Sequence, residues 1–240
     1  MHQPFTIADI RTENYRTKTF RFDRALPAEP GQFVMAWLPN VDERPFSVAG
    51  SMPLSLTVVA VGSFTHALHR LHVSDRLWIR GPLGQGFALP TSPTHHRLLL
   101  VGGGYGVAPL RFLARTALGA GYAVEVCIGA RTAADVILTD RFGRDGADVR
   151  VATEDGSLGT QGLVTGIMEA SIEANSPDVV YACGPLPMLE AVEAHCLSRG
   201  LPHQLSWEAR MRCGMGLCGT CEVPGRDGWL ACTDGPVSRD

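Results

Sequence analysis

The chain is poor in aromatic residues and in charge, 7% and 19% of its 240 residues. With a net charge of only −3, it lacks the basic surface that nucleic acid or an anionic membrane attracts. No run approaches the roughly 18 uninterrupted apolar residues that a membrane helix needs. The amino terminus, MHQPFTIADIR, lacks a basic segment followed by an apolar one, so it does not read as a signal peptide. Internal repeats and low-complexity segments are missing too. These absences lead us to expect a cytoplasmic protein. The 45% hydrophobic content excludes a disordered chain. The length suits more than one domain and fewer than three, at a prior of about 150 residues each.

Cysteine is scarce until the end of the chain. Cys127, Cys183 and Cys196 are scattered, whereas Cys213, Cys218, Cys221 and Cys232 fall within the last 28 residues. A disulfide framework belongs to small secreted chains, so a clustered tail points to a metal centre instead. The spacing is C-x4-C-x2-C with a fourth Cys ten residues on, the ligand pattern of a plant-type 2Fe–2S centre. Intervening glycines allow a loop to bend tightly and turn N–H groups toward sulfur. Structural zinc is the competing reading, but its paired C-x2-C knuckles fit the four-residue gap less well.

The remaining chain splits by pattern. Lys18–Asp23, Gln32–Trp37, Leu54–Val61 and Leu77–Arg80 read as short strands, with a short helix at Thr65–Leu71, which suggests a small antiparallel barrel. The character changes near Pro90–Pro93. Beyond it, apolar strands at Leu98–Val101, Val124–Ile128, Val149–Ala152 and Val179–Ala182 alternate with helical patterns, including Leu163–Ala174 and Pro187–Ser198, and predict a parallel sheet. The expected order is a barrel over 1–92, an α/β domain over 93–204 and a cluster domain over 205–240.

Several motifs are weak alone. Arg44-Pro45-Phe46-Ser47 offers a guanidinium for a pyrophosphate and a hydroxyl for a polar ring edge, yet such a tetrapeptide more commonly reads as a turn. Gly62-Ser63-Phe64-Thr65 precedes the short helix, and its Thr also reads as a helix cap. Gly102–Gly106 joins a buried strand to a helix, the setting for a dinucleotide phosphate, but equally that of a tight strand–helix turn. Gly81–Phe87, GPLGQGF, carries no decisive chemistry. Cys183-Gly184-Pro185 ends a strand where ligands bind in open α/β sheets, or is simply a small residue at a turn. His66, His69 and His72 read as helix surface, and Cys127 and Cys196 as core.

In this order, RPFS, GSFT, GPLGQGF, VGGGYGVAPL, CGPLPM and the cysteine loop resemble the ferredoxin–NADP reductase superfamily. Ser206–Met211 (SWEARM) and Cys232–Val237 (CTDGPV) sharpen that to a resemblance to the electron-transfer subunits of B-type dihydroorotate dehydrogenase. The resemblance covers nearly the whole chain and implies FAD, a 2Fe–2S cluster and NAD(H). It places FAD on Arg44, Pro45, Phe46 and Ser47, with Gly62, Phe64 and Thr65 lining its phosphates. It places NAD over Gly103, Gly104, Gly106 and Gly184, with Cys183 near the reacting centre, and the cluster on Cys213, Cys218, Cys221 and Cys232. Asp155, in the loop after the Val149–Ala152 strand, would accept from a ribose 2′-hydroxyl and repel a 2′-phosphate, although an acidic surface turn reads equally well.

The chain departs from the pattern at Val59-Ala60, where many relatives carry Arg, and in its short last inter-cysteine gap. The implied partner is an FMN-containing catalytic subunit, a dihydroorotate dehydrogenase, in a heterotetramer with two copies of each, serving pyrimidine biosynthesis. The alternatives are the same module in a bifurcating NADH-dependent ferredoxin–NADP oxidoreductase or a sulfhydrogenase, or a redox sensor that does not turn over.

Overall fold

A computed structural model describes residues 1–91 and 97–239, so the boundary expected at 92/93 lies outside the described residues. The chain forms two compact units, Met1–Gly86 with Glu208–Val237, and Phe87–Trp207 with Ser238–Asp240.

In the first unit six strands close into an antiparallel barrel. They are β1 (Gln3–Asn14), β2 (Thr17–Phe22), β3 (Phe33–Leu38), β4 (Asp42–Ser51), β5 (Leu54–Val59) and β6 (Arg76–Leu83), in the order β1-β2-β5-β4-β3-β6. This is the barrel expected from the turn-punctuated strands. Its core follows the period of two: Phe20 and Phe22 of β2 are buried on either side of exposed Arg21, and Leu54, Leu56 and Val58 of β5 point the same way. Each such large side chain contributes about 1.5–3 kcal/mol on burial, and closure leaves no open sheet edge.

Helix α1 (Ser63–His69) follows β5 and buries Phe64, Ala67 and Leu68. His69 departs from the helix-surface reading. Its Nε2 bonds the Val58 carbonyl oxygen at 2.9 Å, and its ring meets Phe20 edge-on at 5.9 Å. Glu208–Val237 packs in the same unit, mostly as turns around an isolated Glu222–Leu230 bridge.

In the second unit the sheet order is β10-β9-β8-β7-β11-β12-β13. Its strands are β7 (Arg97–Gly103), β8 (Ala123–Ala130), β9 (Asp148–Thr153), β10 (Thr160–Gln161), β11 (Val179–Cys183), β12 (His203–Ser206) and β13 (Val237–Arg239). The ladders from β10 across to β12 are parallel, as the alternating pattern predicts. Helices α2 (Val107–Gly119), α3 (Thr139–Asp145), α4 (Val164–Ala174) and α5 (Leu186–Arg199) separate the strands.

Leu98–Val101 are fully buried because β7 lies in the middle of the sheet, covered on both faces. Near the strand starts, the buried carboxylate of Glu125 receives Arg97, Ser171 and, at 2.6 Å, Arg150. The chain runs from β7 to β8 on one side and later returns to β11 on the other. The carboxyl ends of β7 and β11 therefore flank a topological switch point.

Candidate functional site

Arg44–Ser47 lies inside β4, not in a turn as the tetrapeptide alone suggests. Met35 of β3 pairs with Pro45 and Ala36 with Arg44, whereas the β5 register on β4 begins only at Val48. The motif thus keeps one edge outside the β4–β5 ladder, which also explains how a strand tolerates Pro45 without its N–H. Arg44 holds Asp42 at 2.5 Å, with about half of each side chain in solvent, so the guanidinium stays accessible.

The Phe46 ring stacks on Phe64 with centroids 5.9 Å apart, bringing the first motif against the second. Thr65 Oγ1 accepts from the N–H groups of Val61 and Gly62, both at 2.9 Å, and donates to the Gly62 carbonyl at 3.0 Å. Its hydroxyl is spent on shaping the turn from the third helical position: Gly62, not Thr65, is the N-cap, which corrects the reading of the Thr as the cap itself.

The four tail cysteines belong to the same unit as the barrel. Their thiols lie close enough to act on one another. Cys218 sits beside Thr220 (Sγ–Oγ1 3.1 Å) and Cys213, whose hydrogen bonds, Thr220 first, draw its pKa down to about 6. Buried Cys232 faces Cys221, and desolvation together with that neighbour pushes it up to about 11. The Gly216 N–H donates to Cys232 Sγ at 3.2 Å, and Gly214, Gly216 and Gly219 all adopt positive φ.

Among the described residues, no three His, Cys, Asp or Glu side chains gather closely enough to hold a single ion. Four thiols in a glycine-rich loop that turns N–H groups toward sulfur, spaced C-x4-C-x2-C, fit a 2Fe–2S centre better than the paired C-x2-C knuckles of structural zinc. Cys127 and Cys196 are core, as expected, with burial pushing their thiols up to about 12 and about 11.

The glycine run occupies the switch point of the second unit. Gly104–Gly106 forms a 3-10 turn between β7 and α2, and Cys183 ends β11 beside Gly102. A Cβ on Gly103 would meet Met188 Sδ at 2.7 Å, and one on Gly184 would meet Met188 Cε at 2.6 Å. These glycines therefore serve close packing of the two loops. Gly104, at φ +55° with nothing within 4 Å of a built Cβ, is the one that offers open backbone.

Asp155 lies in the exposed turn after β9. Its Oδ1 accepts from the Ser157 hydroxyl (2.6 Å) and N–H (3.0 Å), which hold the carboxyl below its ordinary value. Ser157 Oγ in turn accepts from the Ala133 N–H at 2.7 Å, tying this loop to the one after β8.

Sequence reading missed two features of the cluster segment's seat. The GPLGQGF loop receives the end of that segment: Gln85 N–H donates to the Gly235 carbonyl at 2.5 Å, and a Cβ on Gly84 would stand 2.5 Å from the same oxygen. Arg80 of β6 donates through Nε and Nη2 to the two carboxylate oxygens of Glu43 (2.7 and 3.1 Å), and through Nη2 to the carbonyl of Cys213 at 2.6 Å. The only local signal was a charged residue at the end of the apolar run Leu77-Trp78-Ile79.

Residues 208–239 match the model of the iron–sulfur cluster binding domain of dihydroorotate dehydrogenase B, and residues 100–194 that of the oxidoreductase NAD-binding domain. A probable dihydroorotate dehydrogenase B (NAD(+)) electron-transfer subunit from Thermococcus kodakarensis is 39% identical over 99% of this chain and 96% of its own length. One from Methanocaldococcus jannaschii is 36% identical over 96% of this chain and 87% of that protein. Among solved structures, an NADH-dependent reduced ferredoxin–NADP oxidoreductase, studied for flavin-based electron bifurcation, superposes with TM-score 0.86 at 29% identity, covering 98% of this chain and 87% of that one. The ferredoxin reductase of carbazole 1,9a-dioxygenase, at 23% identity and TM-score 0.73 over 84% of this chain and 67% of that one, shares the fold.

Proposed function

This chain belongs to the family of electron-transfer subunits of dihydroorotate dehydrogenase B, and on that basis we propose that it links a dihydroorotate-oxidising catalytic subunit to NAD. It is an NAD-linked oxidoreductase subunit. When bound, FAD supplies hydride exchange with nicotinamide, and the 2Fe–2S centre supplies single-electron exchange.

The observation that carries the reading is that one compact unit contains both the Arg44–Thr65 motifs and the four cysteines. Within it, Arg44 neutralises the FAD pyrophosphate, the stacked Phe46 and Phe64 fix the relation of strand to helix, and Ser47 meets the flavin ring. Cys213, Cys218, Cys221 and Cys232 would hold the 2Fe–2S centre. In the second unit, the open backbone at Gly104 accepts the NAD pyrophosphate, Cys183 and Gly184 border the nicotinamide, and Asp155 binds the adenosine ribose.

Met215 and Leu217, 53% and 82% exposed between the cluster ligands, form the apolar docking surface for an FMN-containing partner. Two copies of each subunit make up the assembly, which serves pyrimidine biosynthesis. Among the described residues, no helix is long and apolar enough to cross a membrane.

The test is reconstitution. The chain alone, loaded with FAD and cluster, is expected to be bleached rapidly by NADH and to reduce artificial acceptors, without oxidising dihydroorotate. Adding the catalytic subunit should give a stable complex that couples dihydroorotate to NAD+. Dihydroorotate turnover by the chain alone would overturn the reading. Slow or absent bleaching would favour a sensor. The likeness to the bifurcating oxidoreductase supports a second reading, the same module in such a complex. Failure to bind any dihydroorotate dehydrogenase of the same cell would favour it.

A further inference from the structure

We infer that Arg80 is a positioning residue for the cluster, fixing the Cys213 end of the ligand loop to the strand that carries the flavin motif and biasing the cluster toward its reduced form. This rests on the reading of the four cysteines as cluster ligands. The guanidinium reaches in two directions. Toward the barrel it grips Glu43 with two donors, and toward the loop it donates to the backbone carbonyl of Cys213. Glu43 is the residue just before Arg44, so a single side chain bridges the flavin strand and the first ligand. Its own side chain is only 13% exposed, and His2 Nε2, 2.6 Å from Glu43 Oε1, secures the carboxylate from the other side.

The loop also lies hard against this spot. A Cβ on Gly214 would stand 3.0 Å from Met35 Cγ and 3.4 Å from Arg80 Nη2. Met35 pairs across the sheet with both Arg80 and Pro45. The contact is therefore built from both sides, and a lysine, with one compact ammonium, cannot reproduce the fork that makes it.

The electrostatic consequence has a definite sign. Reduction adds one negative charge to the cluster. A guanidinium one carbonyl away from a ligand stabilises the reduced form and raises the potential, while Glu43, one side chain further out, opposes it weakly.

The experiment compares Arg80→Gln, Arg80→Lys and Glu43→Gln in the full chain after FAD and cluster reconstitution, by EPR, redox titration and the rate of cluster loss to a chelator. Arg80→Gln should lower the midpoint potential and release iron about tenfold faster, the low end of the effect of removing an outer-shell partner. Arg80→Lys should restore the potential but not cluster retention. Glu43→Gln should shift the potential upward, opposite to Arg80→Gln, which a general loss of folding cannot do. If Arg80→Gln does not fold, an upward shift in Glu43→Gln with loosened iron supports the inference, and a parental potential overturns it. Parental EPR, potential and iron retention in Arg80→Gln would also overturn it. A parent chain that assembles no 2Fe–2S cluster at all would refute the ligand reading instead.

Discussion

Gly106 rests directly on the backbone of Cys183: a Cβ built there would lie 2.2 Å from the Cys183 carbonyl oxygen and 2.6 Å from its carbon. Neither neighbour is a flexible side chain that can move aside. Gly106→Ala should therefore cost about 3 kcal/mol, the upper end of the overpacking range, and weaken NADH binding. Gly104→Ala meets no atoms and carries only the left-handed penalty of about 1–2 kcal/mol. Chemical unfolding and NADH titration of the two variants check the contrast, and equal losses would contradict it.

Nucleotide preference should depend on Asp155. Held ionised by Ser157, its carboxylate repels a 2′-phosphate, so the chain should prefer NADH. Asp155→Ser should raise kcat/KM for NADPH. Comparable kcat/KM for both nucleotides in the parent would remove this role.

Cluster ligation predicts a selective loss. Cys218→Ser should abolish the 2Fe–2S visible and EPR signals while FAD absorbance remains. An unaltered cluster signal in this variant would count decisively against the ligand assignment.

Stability should depend on the Glu125 clamp. Glu125→Ala leaves Arg97, 17% exposed, without its carboxylate, whereas Arg150 remains half in water. The expected loss is about 3 kcal/mol, the low end for breaking a buried pair, measured by urea unfolding.

His69 gives a pH dependence. Desolvation outweighs its bond to Val58 and lowers its pKa below 6.5. The unfolded chain then binds the proton more readily, so this contribution is complete above pH 6.5 and declines as pH falls toward the folded value. Because α1 carries Phe64 and Thr65, FAD retention should weaken over the same window. His69→Gln should flatten both profiles between about pH 5 and 7, as followed by thermal melts and flavin fluorescence.

The barrel and the parallel sheet were legible because their strands carry clear patterns, the alternation of Phe20-Arg21-Phe22 in β2 and the continuous apolar run of β7. The cysteine spacing was legible because its ligands are close in sequence. What escaped depended on distant partners. β1 buries only Phe5 and Ile7 along its 12 residues, too sparse a pattern to mark a strand. Pro45 reads as a breaker unless β5 is known to pair with β4 from Val48 onward. GPLGQGF has no meaning without Gly235, nor Arg80 without Cys213, 133 residues away.

That last separation orders events during synthesis. All six barrel strands are made before any strand of the second unit, yet the ligand loop that seats on Arg80 and the segment that docks on Gln85 are made only after Ser206. The nascent barrel must wait through the making of an entire second unit with this face uncovered. A chain cut short just before Cys232 would keep all six barrel strands and three of the four cysteines, and so would lack a complete metal site.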